Sequence, residues 1–250
     1  YTKVHPEDFE VILKQLKTAL TNVRYDIYTP YCIDPIISYI AIMFMASPQS
    51  CVIDHLLKVL YTHLLPLFRH ERLSLYYSKL INLITSIVDN SPINQLNVIQ
   101  YIIKHFPYQC GHKQPLFVSA LCSIIKTMKG NQLNPIALKL FIFIAMAVKS
   151  PNSKLAESAL TLLAKPNMKS IIFSNYNLAM DYLYEPLKWS SSIHWDRCIQ
   201  DQCQSALMAL LNAKVEVQKS NAMSDFLQSS EQPIQQETKK MDNKELIKTW

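Results

Sequence analysis

Glycine is almost missing from this chain, with two residues in 250. Phosphate-cradling loops and tight hairpins both lean on glycine backbones, so a nucleotide-binding Gly-rich turn and a sheet-based fold are poorly served. Alternating apolar and polar runs are lacking too, which leaves the helix as the regular element. There are six cysteines but no Cys-x-x-Cys pair, and no Asn-x-Ser/Thr sequon; that usage fits a reducing compartment, the cytoplasm extending to the nucleus. Charged residues make up 18%, against roughly 25% in an ordinary soluble domain, while 49% are hydrophobic, so helices must cover one another. The longest apolar stretch, Ile136 to Val148, is broken by Lys139 and falls short of the roughly 20 residues that cross a bilayer. It reads as a buried inner helix, and no membrane partner is expected. Tyr1 to Glu10 lacks the basic-then-apolar layout of a secretion signal and starts without Met, as an excised segment would.

What is present is a repeat. Apolar helical patterns begin near Ile33, Arg72, Gln114, Asn152 and Ile193, at intervals of 39, 42, 38 and 41 positions. That spacing predicts an all-α, HEAT-like superhelix, a solenoid of antiparallel helix pairs. One unit reads clearly. Leu73, Tyr76, Leu80, Leu83, Ile84 and Ile87 form a stripe, Asn90-Ser91-Pro92 breaks it, and Leu96, Ile99, Ile102 and Ile103 form the returning stripe. Ser91 is placed to cap, with Pro92 at the first helical position. In the next unit Phe117, Leu121, Ile124 and Met128 go up, Gly130 to Asn134 turn, and Pro135 opens the return. Further helices are expected over Asn152 to Ala164, Ser174 to Lys188 and from Ile199 through Leu210, with an earlier pair at Ile33 to Ala46 and Val52 to Leu65 and a lone helix at Phe9 to Val23. Residues 1–213 thus read as the repeat domain and 214–250 as a polar, partly disordered tail. Gln218 to Thr238 is too poor in apolar residues to order itself, and Met241 to Trp250 is expected as a short helix.

Reactive chemistry is hard to place. His105, Cys110 and His112 cluster in a turn without a fourth ligand, whereas structural zinc wants four in paired spacings. Cys198 and Cys203 read as core packing. No base and acid converge on a nucleophile, so neither catalytic residues nor a metal or other cofactor are expected. Charge distribution is the odd feature: no acid lies between Asp89 and Glu157, while Lys104, Lys113, Lys126, Lys129, Lys139, Lys149 and Lys154 do. Most fall at helix ends or turns, which predicts one positive edge. Those lysines either offset helix dipoles or form a docking ridge for an acidic partner. Nucleic acid suits them less, because no arginine occurs in the run to fork onto phosphate or guanine.

From Leu64 onward the chain resembles the B-prime (B-fifty-six) regulatory subunits of protein phosphatase 2A. Leu64-Leu65-Pro66-Leu67 followed by Leu73-Ser74-Leu75-Tyr76 is similar to the family's Leu-Leu-Pro-Leu and Leu-Ser-Val-Tyr. Phe106-Pro107, Cys110, Lys113 and Phe117 resemble its Trp-Pro stretch and following helix; Ser150-Pro151, Ala156-Glu157 and Ala159-Leu160 resemble Ser-Ser-Pro and Val-Ala-Glu-Arg-Ala-Leu; His194-Trp195 falls at its His-Trp-Asn. The likeness covers Leu64 to Leu211 well and Tyr1 to His63 weakly, so the chain would be the carboxyl-terminal part, its amino-terminal repeats missing. The resemblance implies a non-catalytic subunit that binds the phosphatase scaffold and catalytic subunits and presents substrates. The rival reading is an adaptor that kept the fold and docks another acidic protein. Partner contacts would fall on Lys113, Lys126, Lys129, Lys149, Lys154, His194 and Asp196; for His194 and Trp195, packing between repeats is the competing role.

Departures from the family matter as well. Its Glu-rich helix is matched here by Gln114, Ala120, Cys122, Ser123, Lys126 and Lys129, its Trp-Asn-Asn by Leu163, Ala164 and Lys165, and the Asn after His-Trp by Asp196. The family's groove for Leu-x-x-Ile-x-Glu short linear motifs corresponds to Tyr1, Asp8 or Phe9, Tyr39 and Met43. The basic residue is lost, and with it a charge-assisted contact worth about 1.5 to 3 kcal/mol. The peptide specificity is therefore expected to be changed or absent.

Overall fold

The structure, a computed structural model, describes residues 14, 15, 18, 33–46, 56–89 and 91–213. The lone helix expected over Phe9 to Val23 and everything expected beyond 213 lie largely or wholly outside those residues. Among the described residues the main helices are α1 (Ile33–Ala46), α2 (residues 56–69, an α-turn running into π-helical Leu60–Leu64 and 3-10 Leu65–Arg69), α3 (Tyr77–Val88), α4 (Pro92–Lys104), α5 (Gln114–Thr127), α6 (Ala137–Val148), α7 (Ser153–Leu163), α8 (Pro166–Ser174), α9 (Tyr176–Ile193) and α10 (residues 197–213). Among the described residues there is no strand.

The helices stack in two rows. In the first row α1 packs on α3, α3 on α5 and α5 on α7; in the second, α6 carries α9, and α8 lies on the short 3-10 segment Gly130–Ile136 that leads into α6. This is an all-α solenoid of helix pairs. Pro92 and Ser91 act as their positions predict, for the Ser91 hydroxyl accepts from the backbone N–H and side-chain amide of Asn94. Pro135 sits one residue before the end of the 3-10 lead-in, so α6 starts at Ala137.

The expected helix from Ser174 is corrected in the structure. Pro166 starts a separate helix, α8, and the chain resumes at Tyr176 to run through Pro186 as far as Ile193. The signal was a proline at the first position of α8, where its missing N–H costs nothing. The second-row half of this pair therefore has two pieces, as the preceding one does.

Between the rows lies a continuous apolar core, to which Leu80, Ile84, Leu121, Ile124, Leu140 and Leu162 contribute fully buried side chains. An aromatic chain ties successive pairs together: Phe68 of α2 meets Phe117 of α5 edge-on at 5.3 Å, and Phe106 meets Phe117 at 6.0 Å and Phe143 of α6 at 5.0 Å. Each such contact adds about 0.5–1.5 kcal/mol beyond area burial. The buried Tyr76 hydroxyl donates to Leu67 O, and burial pushes its pKa up. Gln95, 1% exposed, donates to Thr127 Oγ1 and Asp89 O. Residues 131–148 form the one stretch among the described residues that is long and apolar enough to cross a membrane, and half of it is buried inside the stack.

Candidate partner-binding edges

Two kinds of turn emerge at opposite ends of the helices. Within pairs the turns fall at 89–91, 128–136 and 164–165; between pairs they fall at 70–76, 105–113, 149–152 and 194–196. Side chains from one pair reach back to the carbonyls of the pair before it. On the between-pair edge, Lys113 Nζ donates to Arg69 O (3.2 Å), Asn152 Nδ2 to Gly111 O (3.1 Å) and Trp195 Nε1 to Pro151 O (2.8 Å). On the within-pair edge, Asn167 Nδ2 donates to Ile125 O and Met128 O, both at 2.7 Å. These donors satisfy carbonyls that helix ends and the turns beside them leave open.

This division separates the candidate residues. Lys113 and Lys126 stand at opposite ends of α5, roughly 20 Å apart by helical rise. Lys113, Lys149, Lys154, His194 and Asp196 belong to the between-pair edge, whereas Lys126 and Lys129 belong to the within-pair edge, where Lys165 and Lys169 follow one repeat later. The single positive edge expected from the lysine run is therefore two. Lys113 is only 6% exposed, its ammonium on the last carbonyl of α2, where a cation offsets the helix dipole. Lys126, Lys129, Lys149 and Lys154 remain exposed. Lys149 holds its Nζ 5.4 Å from the Trp189 ring centre, a cation–π geometry.

His194 and Trp195 divide the two roles weighed for them. His194 is buried; its Nε2–H donates to Ser150 O at 3.2 Å while Nδ1 accepts from Asp196 N–H at 3.1 Å, so both ring nitrogens are held. Asp196 in turn caps α10 through Cys198 N–H (3.0 Å). Trp195 stacks on His194 at 5.7 Å, ties its indole N–H to Pro151 O, and still leaves 70% of its surface exposed. Packing falls to the histidine, and an open aromatic face to the tryptophan.

Composition alone did not disclose the outer side of the second row. The α6 pattern reads as buried all round, yet Leu138 and Ile142, one turn apart, are exposed, as are Tyr182, Trp189 and Ile193 of α9. Of these, Trp189 and Ile193 stand near the between-pair edge, where with Tyr108 and Trp195 they put large apolar and aromatic groups beside lysines, the composition of an interface centre.

The remaining candidates lie apart. Tyr1 and Asp8 are outside the described residues. Tyr39 is exposed on α1 one turn from Met43. Nearby, Ser38, Ile42, Lys79 and Asn82 line a shallow cavity of about 310 Å³, and Lys79 pairs with Asp34. His105 lies against Arg69, whose Nη2 is 2.9 Å from its Nδ1, and against Tyr101. Burial, then Arg69, then Lys104 hold its pKa below the usual value. Cys203 is a core residue as read, and burial pushes its thiol up to about 11; Cys198, in the first turn of α10, is instead exposed.

Comparison with known proteins follows the same lines. The family described as "Protein phosphatase 2A regulatory B subunit (B56 family)" matches residues 1–250, the whole chain. Over 136 residues the chain is 25% identical to the 57 kDa regulatory B' kappa isoform of serine/threonine protein phosphatase 2A from Oryza sativa, covering 54% of this chain and 27% of that protein. Similar figures hold for the phosphatase 2A regulatory protein pptr-1 of Caenorhabditis elegans (27% identical, 54% and 25% covered) and the human 56 kDa regulatory beta isoform (25% identical, 54% and 27% covered). The matched part thus spans about a quarter of the length of these relatives.

Proposed function

The chain belongs to the B56 family of protein phosphatase 2A regulatory B subunits, and from that premise we propose that it is a non-catalytic regulatory and targeting subunit of a serine/threonine phosphatase of this type. It binds the scaffold and catalytic subunits and presents substrates to them. The observation that carries this reading is the family match along all 250 residues, on a chain folded as a solenoid. A stack of pairs suits such work because each pair is held by its neighbours alone, leaving a row of turns free to grip partners.

The between-pair edge is the docking surface in this reading. Lys149 and Lys154 supply positive charge, Trp189 and Trp195 supply rigid aromatic area, and His194 with Asp196 hold the last turn in place. An acidic partner segment bearing apolar side chains fits that combination. Lys113 serves by fixing the edge, its own charge being occupied by Arg69 O.

A pull-down tests the reading. Tagged full chain is incubated with eukaryotic cell extract and blotted for the phosphatase catalytic subunit. Recovery of that subunit, reduced by added salt, is expected. Capture of other proteins without it would transfer the chain to the adaptor class.

A further inference from the structure

Five lysines on the within-pair edge carry charge that the fold does not use. Lys126 lies one residue before the end of α5, Lys129 follows it, Lys139 lies in the first turn of α6, Lys165 is the N-cap of α8 and Lys169 lies in its first turn. They belong to one surface. Asn167 Nδ2 of α8 donates to Ile125 O and Met128 O at the end of α5, and α8 packs on Gly130–Ile136, the segment that joins Lys129 to α6. Burial raises the Cys122 thiol of α5 and the charge of Lys165 opposes it, which puts Lys165 beside α5 as well. The neighbourhood is of one sign: from residue 90 to residue 180 the single acid is Glu157, in the half of α7 nearer the other edge, and Asp89 stands on this edge one pair earlier.

Structural roles that explain lysines elsewhere in this fold do not explain these. At a helix end a cation serves open carbonyls, as Lys113 serves Arg69 O, but the end of α5 already has the Asn167 amide, 2.7 Å from two of its oxygens. At a helix start a cation opposes the dipole, and that is where Lys139, Lys165 and Lys169 stand. Among the described residues, the ammonium groups bonded to a protein oxygen are those of Lys79 and Lys113, and none of these five. Lys126, Lys129, Lys139 and Lys169 are exposed and Lys165 is half-buried.

We propose that this edge is a second docking site, which takes an Asp/Glu-rich segment of a partner protein. Unengaged ammonium groups on a surface poor in carboxylates attract carboxylates from outside, and at an exposed site they do so without a large desolvation cost. Nucleic acid fits less well: residues 126–139 and 164–169 hold no arginine to fork onto phosphate and no aromatic ring for a base to stack on. The occupant also differs from the one that suits the between-pair edge, because the exposed tryptophans belong to that edge.

The test is the fluorescence anisotropy of a fluorescein-labelled peptide of ten glutamates, titrated with the full chain at low salt. Lys126→Glu with Lys129→Glu is expected to weaken binding at least about tenfold; Lys149→Glu with Lys154→Glu, which changes the net charge equally, no more than about twofold. Lys165→Gln with Lys169→Gln should weaken it at least about threefold and leave the thermal midpoint of the chain level or higher, because charge opposing the α8 dipole is gone. Absence of binding overturns the proposal, as does equal weakening by the two glutamate pairs, which would report overall charge alone. A lowered thermal midpoint with unaltered binding in Lys165→Gln with Lys169→Gln would make those lysines structural and overturn it too. Tighter binding of a ten-uridine RNA than of the peptide would also overturn it and give the edge to nucleic acid. No phosphatase is present in the titration, so this site and the phosphatase docking proposed above can fail separately.

Discussion

Replacing His194 by Phe separates a structural histidine from one that touches a partner. The ring volume is nearly kept, but Ser150 O loses its donor and Asp196 N–H its acceptor in a site that is 4% exposed. Each bond contributes about 1 kcal/mol net, and an orphaned buried group adds about 1–3 kcal/mol of desolvation. The turn can open to water on one side, so the lower end applies and the total is about 2–3 kcal/mol. With a urea slope of about 2–3 kcal/mol/M, the unfolding midpoint falls by about 1 M. Trp195→Ala removes one exposed hydrogen bond and a stacked ring, and should cost no more than about 1 kcal/mol. His194→Gln, which can still reach Ser150 O, should fall between. Urea titration followed by far-ultraviolet circular dichroism reads all three. A midpoint for His194→Phe within about 0.2 M of the unsubstituted chain, or a larger loss for Trp195→Ala, would show that His194 does not hold the joint between pairs.

Other consequences can be measured on the same protein. Lys149→Glu with Lys154→Glu should reduce recovery of the phosphatase at least about tenfold, whereas Lys126→Glu with Lys129→Glu, some 20 Å away on the other edge, should leave it within about twofold; equal losses contradict the division into two edges. His105 has its pKa depressed in the fold, so the unfolded chain takes up its proton more readily: its contribution is full above about pH 6.5 and is lost as pH falls through the depressed value. Denaturation midpoints measured downward from pH 7.5 should decline below that point, and His105→Gln should remove part of the decline. Cys203, fully buried with its thiol raised to about 11, should resist alkylation at pH 8 until the chain is unfolded; native-state labelling at a rate near that of Cys110 would contradict the placement of α10.

How much the sequence disclosed depended on which side of a helix carried the message. The apolar stripe through Leu80, Leu83, Ile84 and Ile87 and the Ser91-Pro92 start mark the body of α3 and the opening of α4, because period and capping are local properties; the stripe's first members, Leu73 and Tyr76, fall instead in a 3-10 turn and at the residue before α3. Pro166 was equally local, and α8 could have been found from it. The ends of helices were less legible: a run of lysines along the chain says nothing of which end of the stack each one reaches, since α5 carries Lys113 and Lys126 to opposite edges. The exposed side of α6 was hidden for another reason. A helix apolar all round looks buried, and only the packing shows that α7 and α9 leave Leu138 and Ile142 uncovered. His194 and Trp195 are neighbours in sequence and differ in burial because one side chain turns into the joint between pairs and the other out of it.

On the proposed function, these stacked turns hold a phosphatase. Purified full chain, mixed at micromolar concentration with the purified scaffold–catalytic heterodimer of a protein phosphatase 2A and examined by mass photometry, tests it most directly. A new species heavier than the heterodimer by one copy of this 28.8 kDa chain is expected, diminishing as salt is raised. A mixture in which heterodimer and chain stay separate, while circular dichroism shows the chain helical and folded, would contradict it.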